Sequence, residues 1–374
     1  MKRIIYADNA ATTKLDIDAF EAMKPYLLDE YGNASQPYSF SRSTKKALRE
    51  ARQMIADCIN ADAEEIYFTS GGTESDNWAI KGSAMCAPLG SEIITSSFEH
   101  HAILRSCESM EKLGIRTTYL RPTKTGVILP EVLSSAITPR TALVSIMMSN
   151  NEIGTIQPIS KLIQIAHQHG TLFHTDAVQA VGHIPIDVKD LQIDLLSASA
   201  HKFNGPKGIG FLYIKKGTPI ASILDGGAQE QGIRAGTENI ANIVGMAVAL
   251  KNNCTMLAVN SNHISSVEQH FLLQLDNTGL RYIRNGIVPS VPGNISLSFP
   301  GFDGETIMHR LDLMGILVST GAACDSKNTQ ISHVLQSIQA DPDAAKGTIR
   351  VSFGKHNTID DATLIADALQ KIMR

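Results

Sequence analysis

No CxxC pair occurs in this chain, and its five cysteines, Cys58, Cys86, Cys107, Cys254 and Cys324, are odd in number and widely scattered. Neither a disulfide framework nor a zinc cluster is therefore expected, and the thiols should be reduced. No window approaches the roughly 20 apolar residues of a membrane span. The N-terminal stretch MKRIIYADNAATT turns polar at Asp8, too early for the apolar core of a signal peptide. A cytoplasmic location follows as the expectation, with no membrane partner. Basic residues do not cluster, and 33 Lys and Arg against 37 Asp and Glu leave a net charge of -4; direct nucleic-acid binding is not expected. Internal repeats and low-complexity tracts are lacking as well.

What is there reads as an ordinary globular protein, 43% hydrophobic and 19% charged. At 374 residues it suits two domains, or one large α/β domain with an appendage. Between about residues 60 and 225, short apolar or β-branched runs alternate with amphipathic stretches. EIYFTS, SEIITSS, IRTTYL, TALVSIMMS, GTLFHTDA, DLLSASA and GIGFLYI are the strand candidates. Helix candidates include Glu74 to Met85 and PISKLIQIAHQHG, which stops on Gly170. This order predicts an α/β fold with a mostly parallel seven-stranded sheet, covered on both faces and functional at the strands' C-terminal ends. After about residue 255 come a helix, SSVEQHFLLQLDN, short strands NISLSFP, ILVST and TIRVSFG, and a last helix TIDDATLIADALQKIMR. The expected division is a large domain over 16–255 and a smaller α+β domain from 1–15 and 256–374.

Four stretches put polar groups where such a sheet places its chemistry. HTDAVQAVG (174–182) ends a strand on Asp176, a carboxylate whose burial requires a cationic partner, and Gln179 offers an amide to the same space. SASAHKFNGPKGIG (197–210) sets Lys202 between an apolar strand and a glycine-rich turn. Partial desolvation there would make the amine a nucleophile able to form a Schiff base; a lysine that snorkels to solvent is an even alternative. FTSGGTESDNWAIKG (68–82) runs a strand through Gly71, Gly72 and Thr73 into a helix. Bare amides and a hydroxyl suit a phosphate, although many strand-to-helix turns look alike. SSFEHHAIL (96–104) carries His100 and His101 past a strand. Neighbours on an extended chain face opposite ways and no carboxylate cluster lies at ligand spacing, so no metal is expected, and one histidine stacking on an aromatic ring is favoured. Together these supply a lysine nucleophile, a carboxylate, a phosphate cradle and a stacking imidazole. That is the set required by pyridoxal 5'-phosphate, whose ring nitrogen a carboxylate keeps protonated and whose aldehyde a lysine holds.

In order along the chain, YADNAATT (6–13), GNASQPYSFSR (32–42), TSGGTESDN (69–77), EHHAI (99–103), NNEIGTIQPI (150–159), HTDAVQAVG, SASAHKFNGPKGIG, RAGTEN (234–239), TGAAC (320–324) and IRVSFG (349–354) resemble the motifs of cysteine desulfurases of the NifS/IscS type. These belong to the class V aminotransferase family of fold type I pyridoxal phosphate enzymes. The resemblance implies that Lys202 is the Schiff-base lysine, that Asp176 pairs with the pyridinium, and that Gln179 hydrogen-bonds the phenolic oxygen. His100 would stack on the ring and help proton transfer. Gly72, Thr73, Ser199 and His201 would hold the phosphate, joined by Thr237 from the partner subunit of a homodimer. Asn33, Asn151 and Arg350 would bind the substrate amino acid, a guanidinium fork being suited to an α-carboxylate. The catalytic thiol falls on Cys324, in a loop of about 321–333. It would take the sulfur of L-cysteine as a persulfide, release L-alanine, and hand the sulfur to an acceptor protein, an iron-sulfur scaffold or a sulfur carrier serving tRNA, DNA or cofactor sulfuration.

The chain departs from that pattern at Tyr38, where the family usually has histidine, with Gln36 and Pro37 beside it, and at Ile331, where a proline is frequent. It also stops at Arg374, where longer relatives carry a tail that helps dock an iron-sulfur scaffold. A selenocysteine lyase or another class V enzyme with the same cofactor site is the alternative reading. A non-catalytic scaffold is disfavoured by the presence of Lys202, Asp176 and Cys324. A metal or redox protein built on Cys324 and His333 lacks further ligands.

Overall fold

The computed structural model describes residues 3–286, 288–320 and 331–374. The chain enters through β1 (Ile5–Tyr6) and then α1 (Ile17–Leu28), which starts where the Asp16 side chain accepts the Asp18 amide. Helix α2 (Arg42–Ile59) buries Thr44, Ala47, Ala51, Ile55 and Ile59, a stripe at helical spacing, and stops at Asn60 in the left-handed conformation (φ 56°).

Seven strands follow: β2 (Ile66–Thr69), β3 (Glu92–Ser96), β4 (Arg116–Leu120), β5 (Thr141–Ser145), β6 (Leu172–Asp176), β7 (Leu195–Ser199) and β8 (Gly210–Ile214). They form one sheet in the order β2-β8-β7-β6-β5-β3-β4, in which only β8 runs antiparallel to its neighbours. The sequence expectation of a mostly parallel seven-stranded sheet holds. Successive residues of a strand serve opposite faces: Ile94, Val144, Leu196 and Phe211 join one apolar cluster, whereas Ile93, Leu143, Leu195 and Leu212 join another with Trp78. Strands covered on both faces read as unbroken apolar runs rather than alternating ones. The edge strand β4 differs, with Arg116 and Tyr119 exposed.

Two helices matter to the site. Helix α3 (Gly72–Cys86) leaves the end of β2, and α4 (His101–Glu111) follows β3.

A second core gathers around β9 (Ile283–Asn285), β10 (Asn294–Ser298) and β12 (Thr348–Ser352), an antiparallel sheet in the order β12-β10-β9 backed by helices Leu257–Asn277 and Ile359–Met373. The stretch ILVST does not form one strand. Only β11 (Ile316–Leu317) pairs, in parallel with β1, and Ser319 then makes an isolated bridge to Arg350. Its β-branched residues are shared between two partners, which no local pattern announces.

Candidate active site

At the C-terminal edge of the large sheet, neighbouring strands end on polar residues. Asp176 closes β6, Ser199 closes β7, and Lys202 sits in the single turn Ala200–Lys202 that follows. A cavity of about 300 Å³ opens there, lined by Gly72, Thr73, His100, Asn151, Asp176, Gln179, Ser199, His201, Lys202 and Arg350. Two of the residues singled out from sequence do not line it. Asn33 is half-buried elsewhere, its Oδ1 accepting the Ser35 amide at 2.8 Å. Thr237 is exposed, and Cys324 lies outside the described residues.

Helix α3 begins with amides that no side chain caps. Its cap position is Gly71, which has no side chain to satisfy the first amides, and the first intrahelical bond runs from Ser75 N to Gly71 O (3.1 Å). The amides of residues 72–74 thus lack helix acceptors and face the positive end of the helix dipole. Gly72 has to be glycine: a Cβ there would lie 2.7 Å from Val178 Cγ2 and 3.5 Å from Ser199 Cβ. Within the first turn, Glu74 accepts the Ser70 amide (2.7 Å) and pairs with Arg234 (2.8 Å), which ties TSGGTESDN to RAGTEN and places Thr237 three residues beyond that link.

Asp176 is buried, and burial pushes its carboxyl up to about 6 while the Val178 amide (2.9 Å to Oδ1) and the charge of Lys202 act to hold it down. Behind it lies a polar network missed by the sequence reading. His174 is wholly buried between Ser145 Oγ (2.8 Å from Nδ1) and Ser197 Oγ (3.0 Å from Nε2), and burial pushes it down to about 3, so the ring is neutral. Asp76, on α3, is buried with one oxygen that has no hydrogen-bond partner among the described residues. Burial first, then the Asp176 charge, push its carboxyl well above the usual carboxylate range. A signal was present for one of these: His174 and Asp176 are two apart on a strand and so share a face.

Lys202 Nζ donates to Ala10 O (2.6 Å) and Ala11 O (2.9 Å). His100 caps α4 by accepting the Ala102 amide at Nδ1 (3.1 Å), which leaves the proton of the neutral ring on Nε2. Burial, then Lys202 and His101, push this imidazole down to about 4, making it a neutral donor and not a cation. His201 is also pushed to about 4, by burial first and then by Lys202 and Lys207, and its Nδ1 meets Thr12 Oγ1 at 3.1 Å. His101 turns away and packs against His333 (ring centroids 4.6 Å apart), whose Nε2 bonds Glu99 O at 2.9 Å.

Arg350, on β12, is 4% exposed. Its Nη1 donates to Asn151 O (2.9 Å) and its Nη2 to Asp8 Oδ1 (2.7 Å), while Nε is buried with no partner among the described residues. Among the described residues no group of three or more His, Cys, Asp or Glu is placed to hold a metal ion, and no helix is long and apolar enough to cross a membrane.

Known proteins resemble this chain along nearly its full length. Residues 5–365 match the family described as Aminotransferase class-V. The chain is 46% identical over 375 residues to a cysteine desulfurase IscS of Dictyoglomus turgidum, covering 100% of this chain and 95% of that relative. A solved structure described as a NifS-like protein matches with a TM-score of 0.93 at 34% identity, covering 99% of each chain. Another, described as SspA in complex with cysteine, matches with a TM-score of 0.84 at 33% identity, covering 96% of this chain and 100% of that one. With a family match over most of its length and a relative at this level of identity, the chain belongs to the class V aminotransferase family.

Proposed function

We propose that this protein is a pyridoxal 5'-phosphate-dependent cysteine desulfurase, which converts L-cysteine to L-alanine and holds the sulfur as a persulfide on Cys324 for transfer to an acceptor protein. The observation that carries the reading is one cavity bringing together Lys202, Asp176, the open start of α3 and Arg350.

The residues present fit the cofactor. The amides of Gly72 and Thr73 with the side chains of Thr73, Ser199 and His201 are donors for a phosphate. Asp176 is a buried carboxylate whose burial cost a protonated ring nitrogen would offset, and Lys202 supplies the amine. Gln179 and His100 line the same space. When bound, pyridoxal phosphate supplies an electron sink for the pair released at the substrate Cα.

The chain's own residues do the rest. Arg350 and Asn151 bind the substrate's carboxylate end, the guanidinium being planar and always charged. Lys202 takes the α-proton on Nζ, leaving its two carbonyl acceptors to do so. His100 offers a neutral Nε2–H beside the reacting atoms. Thiolate Cys324 attacks the substrate sulfur: the new S–S bond forms, the Cβ–S bond breaks, and its electron pair ends on Cβ, which takes a proton; Lys202 Nζ then returns a proton to Cα, and L-alanine is released. The same proposal includes a cytoplasmic homodimer in which Thr237 reaches the partner's phosphate, the division into 16–255 against 1–15 with 256–374, Asn33 as a substrate contact, and an iron-sulfur scaffold or sulfur carrier as acceptor.

Purified protein loaded with the cofactor should show a visible absorption band that Lys202→Ala abolishes. With L-cysteine and a reductant it should release alanine and sulfide in equal amounts, and Cys324→Ser should keep the band and lose the sulfide. A Cys324→Ser variant that desulfurates like the parent refutes the thiol assignment, and a strong kcat/KM preference for L-selenocysteine moves the reading to a selenocysteine lyase.

A further inference from the structure

The motif ADNAATT near the N-terminus touches the cavity's main residues in turn. Asp8 pairs with Arg350, and Asn9 Nδ2 donates to Ser352 O (2.9 Å). Ala10 O accepts Lys202 Nζ and Gln179 Nε2 (3.0 Å), and Ala11 O accepts Lys202 Nζ again. Thr12 meets His201 Nδ1, and Thr13 Oγ1 donates to His201 O (2.8 Å). The segment acts as a strap laid across the site.

Its first contact is the informative one. Arg350 lines the cavity and Asp8 does not, so the Asp8 carboxylate grips the guanidinium from outside the space a substrate would fill. Asn151 O holds Nη1 and Asp8 holds Nη2, two points that fix a planar group. Three of the five N–H donors remain without a partner among the described residues, one on each Nη and the buried Nε–H.

We propose that Asp8 is a positioning residue for the substrate: by anchoring Nη2 it holds the guanidinium of Arg350 in the plane that presents its free donors to the α-carboxylate. The inference rests on the reading that Arg350 binds that carboxylate. Asp8 therefore acts on substrate affinity and leaves the cofactor and the chemical step alone.

The test uses cofactor-loaded Asp8→Ala, Asp8→Asn and Arg350→Ala. It compares kcat and KM for L-cysteine and the Kd of L-alanine read from the cofactor's absorption band. Asp8→Ala should raise KM and the L-alanine Kd about tenfold or more, with kcat within about threefold and the band unmoved. Asp8→Asn, which keeps an acceptor oxygen, should recover most of the loss. Asp8→Ala with the parent's KM and Kd, with a lower KM, or with a kcat loss as large as its KM change overturns the inference. Should Asp8→Ala fail to fold, Asp8→Asn decides: an intermediate KM at the parent's kcat supports the role, and an unchanged KM overturns it. Arg350→Ala separates the two levels. An unchanged KM there removes the carboxylate-clamp reading and this inference with it, whereas a raised KM there beside an unchanged one in Asp8→Ala removes this inference alone.

Discussion

Gly72→Ala sets two physical effects against each other. The residue is the first of α3 and its φ is not in the left-handed region, so an alanine backbone fits, and helix propensity favours alanine by about 1 kcal/mol in a helix interior. Packing says the opposite. The added methyl would sit 2.7 Å from Val178 Cγ2, roughly 1 Å inside a comfortable carbon contact. Val178 is stiff at χ1, and its amide is committed to Asp176 Oδ1 at 2.9 Å, so neither side chain nor backbone yields freely. Overpacking of this kind costs about 1–3 kcal/mol, which outweighs a propensity gain that is smaller still at a helix end. The apo protein should lose about 1–4 °C in Tm. The larger effect is on the anion site: moving the Thr73 amide and Ser199 away from a phosphate forfeits one charge-assisted hydrogen bond, about 1.5–3 kcal/mol, and raises the cofactor Kd roughly tenfold to a hundredfold. Thermal melts of the apo protein and absorbance titration with pyridoxal phosphate measure the two separately. A variant that melts at or above the parent and binds the cofactor as tightly refutes both the packing argument and the assignment of this helix start as the cradle.

Other outcomes follow from groups already described. Burial holds His100 near 4 against about 6.5 in the unfolded chain, so the unfolded state takes the proton first. Its contribution to stability is whole above pH 6.5, declines as pH falls from there, and levels off below about 4, a loss of up to roughly 3 kcal/mol. Imidazole NMR of the apo protein should show this ring titrating near 4 with its proton on Nε2, and titration near 6.5 would be decisive against the burial argument. Glu230 (side chain 2% exposed) pairs with Arg52 at 2.7 Å and accepts the Phe68 amide of β2 at 2.8 Å. Glu230→Ala should cost about 1–3 kcal/mol in denaturation, because it unpairs a strand amide and leaves Arg52 only the Ile66 carbonyl and the Phe68 ring; a loss well below about 1 kcal/mol would mean water replaces Glu230 at both. Serine at Cys58, Cys86, Cys107 or Cys254 should leave sulfide release unchanged. Only the Cys107 variant should melt earlier, since that thiol is wholly buried and pushed up to about 12 by burial.

The large sheet was legible because its strands are short runs, bounded by turns and rich in apolar or β-branched residues, β8 (GFLYI) being buried along its whole length. Lys202 and Asp176 stood out for the same reason, as charges at the ends of such runs. Asp76 and His174 did not, although both lie inside motifs that were read, because burial of a polar side chain within a helix face or a strand leaves no mark on local composition. Asp8 and Arg350 were hardest of all as a pair. Arg350 could be assigned to a carboxylate by type, but nothing in either neighbourhood points to a partner 342 residues away.

That distance has a consequence for how the protein is made. Asp8 is among the first residues synthesised and Arg350 among the last. At roughly 5–20 residues per second the strap is exposed for about 20–70 s before its anchor exists. A nascent chain can complete its large sheet, with Asp176 and Lys202 in place, while the Asp8 contact to Arg350 is still unmade. The end of the cavity lined by Arg350 is therefore completed after the end lined by Asp176 and Lys202, and a chain interrupted before β12 lacks Arg350 altogether.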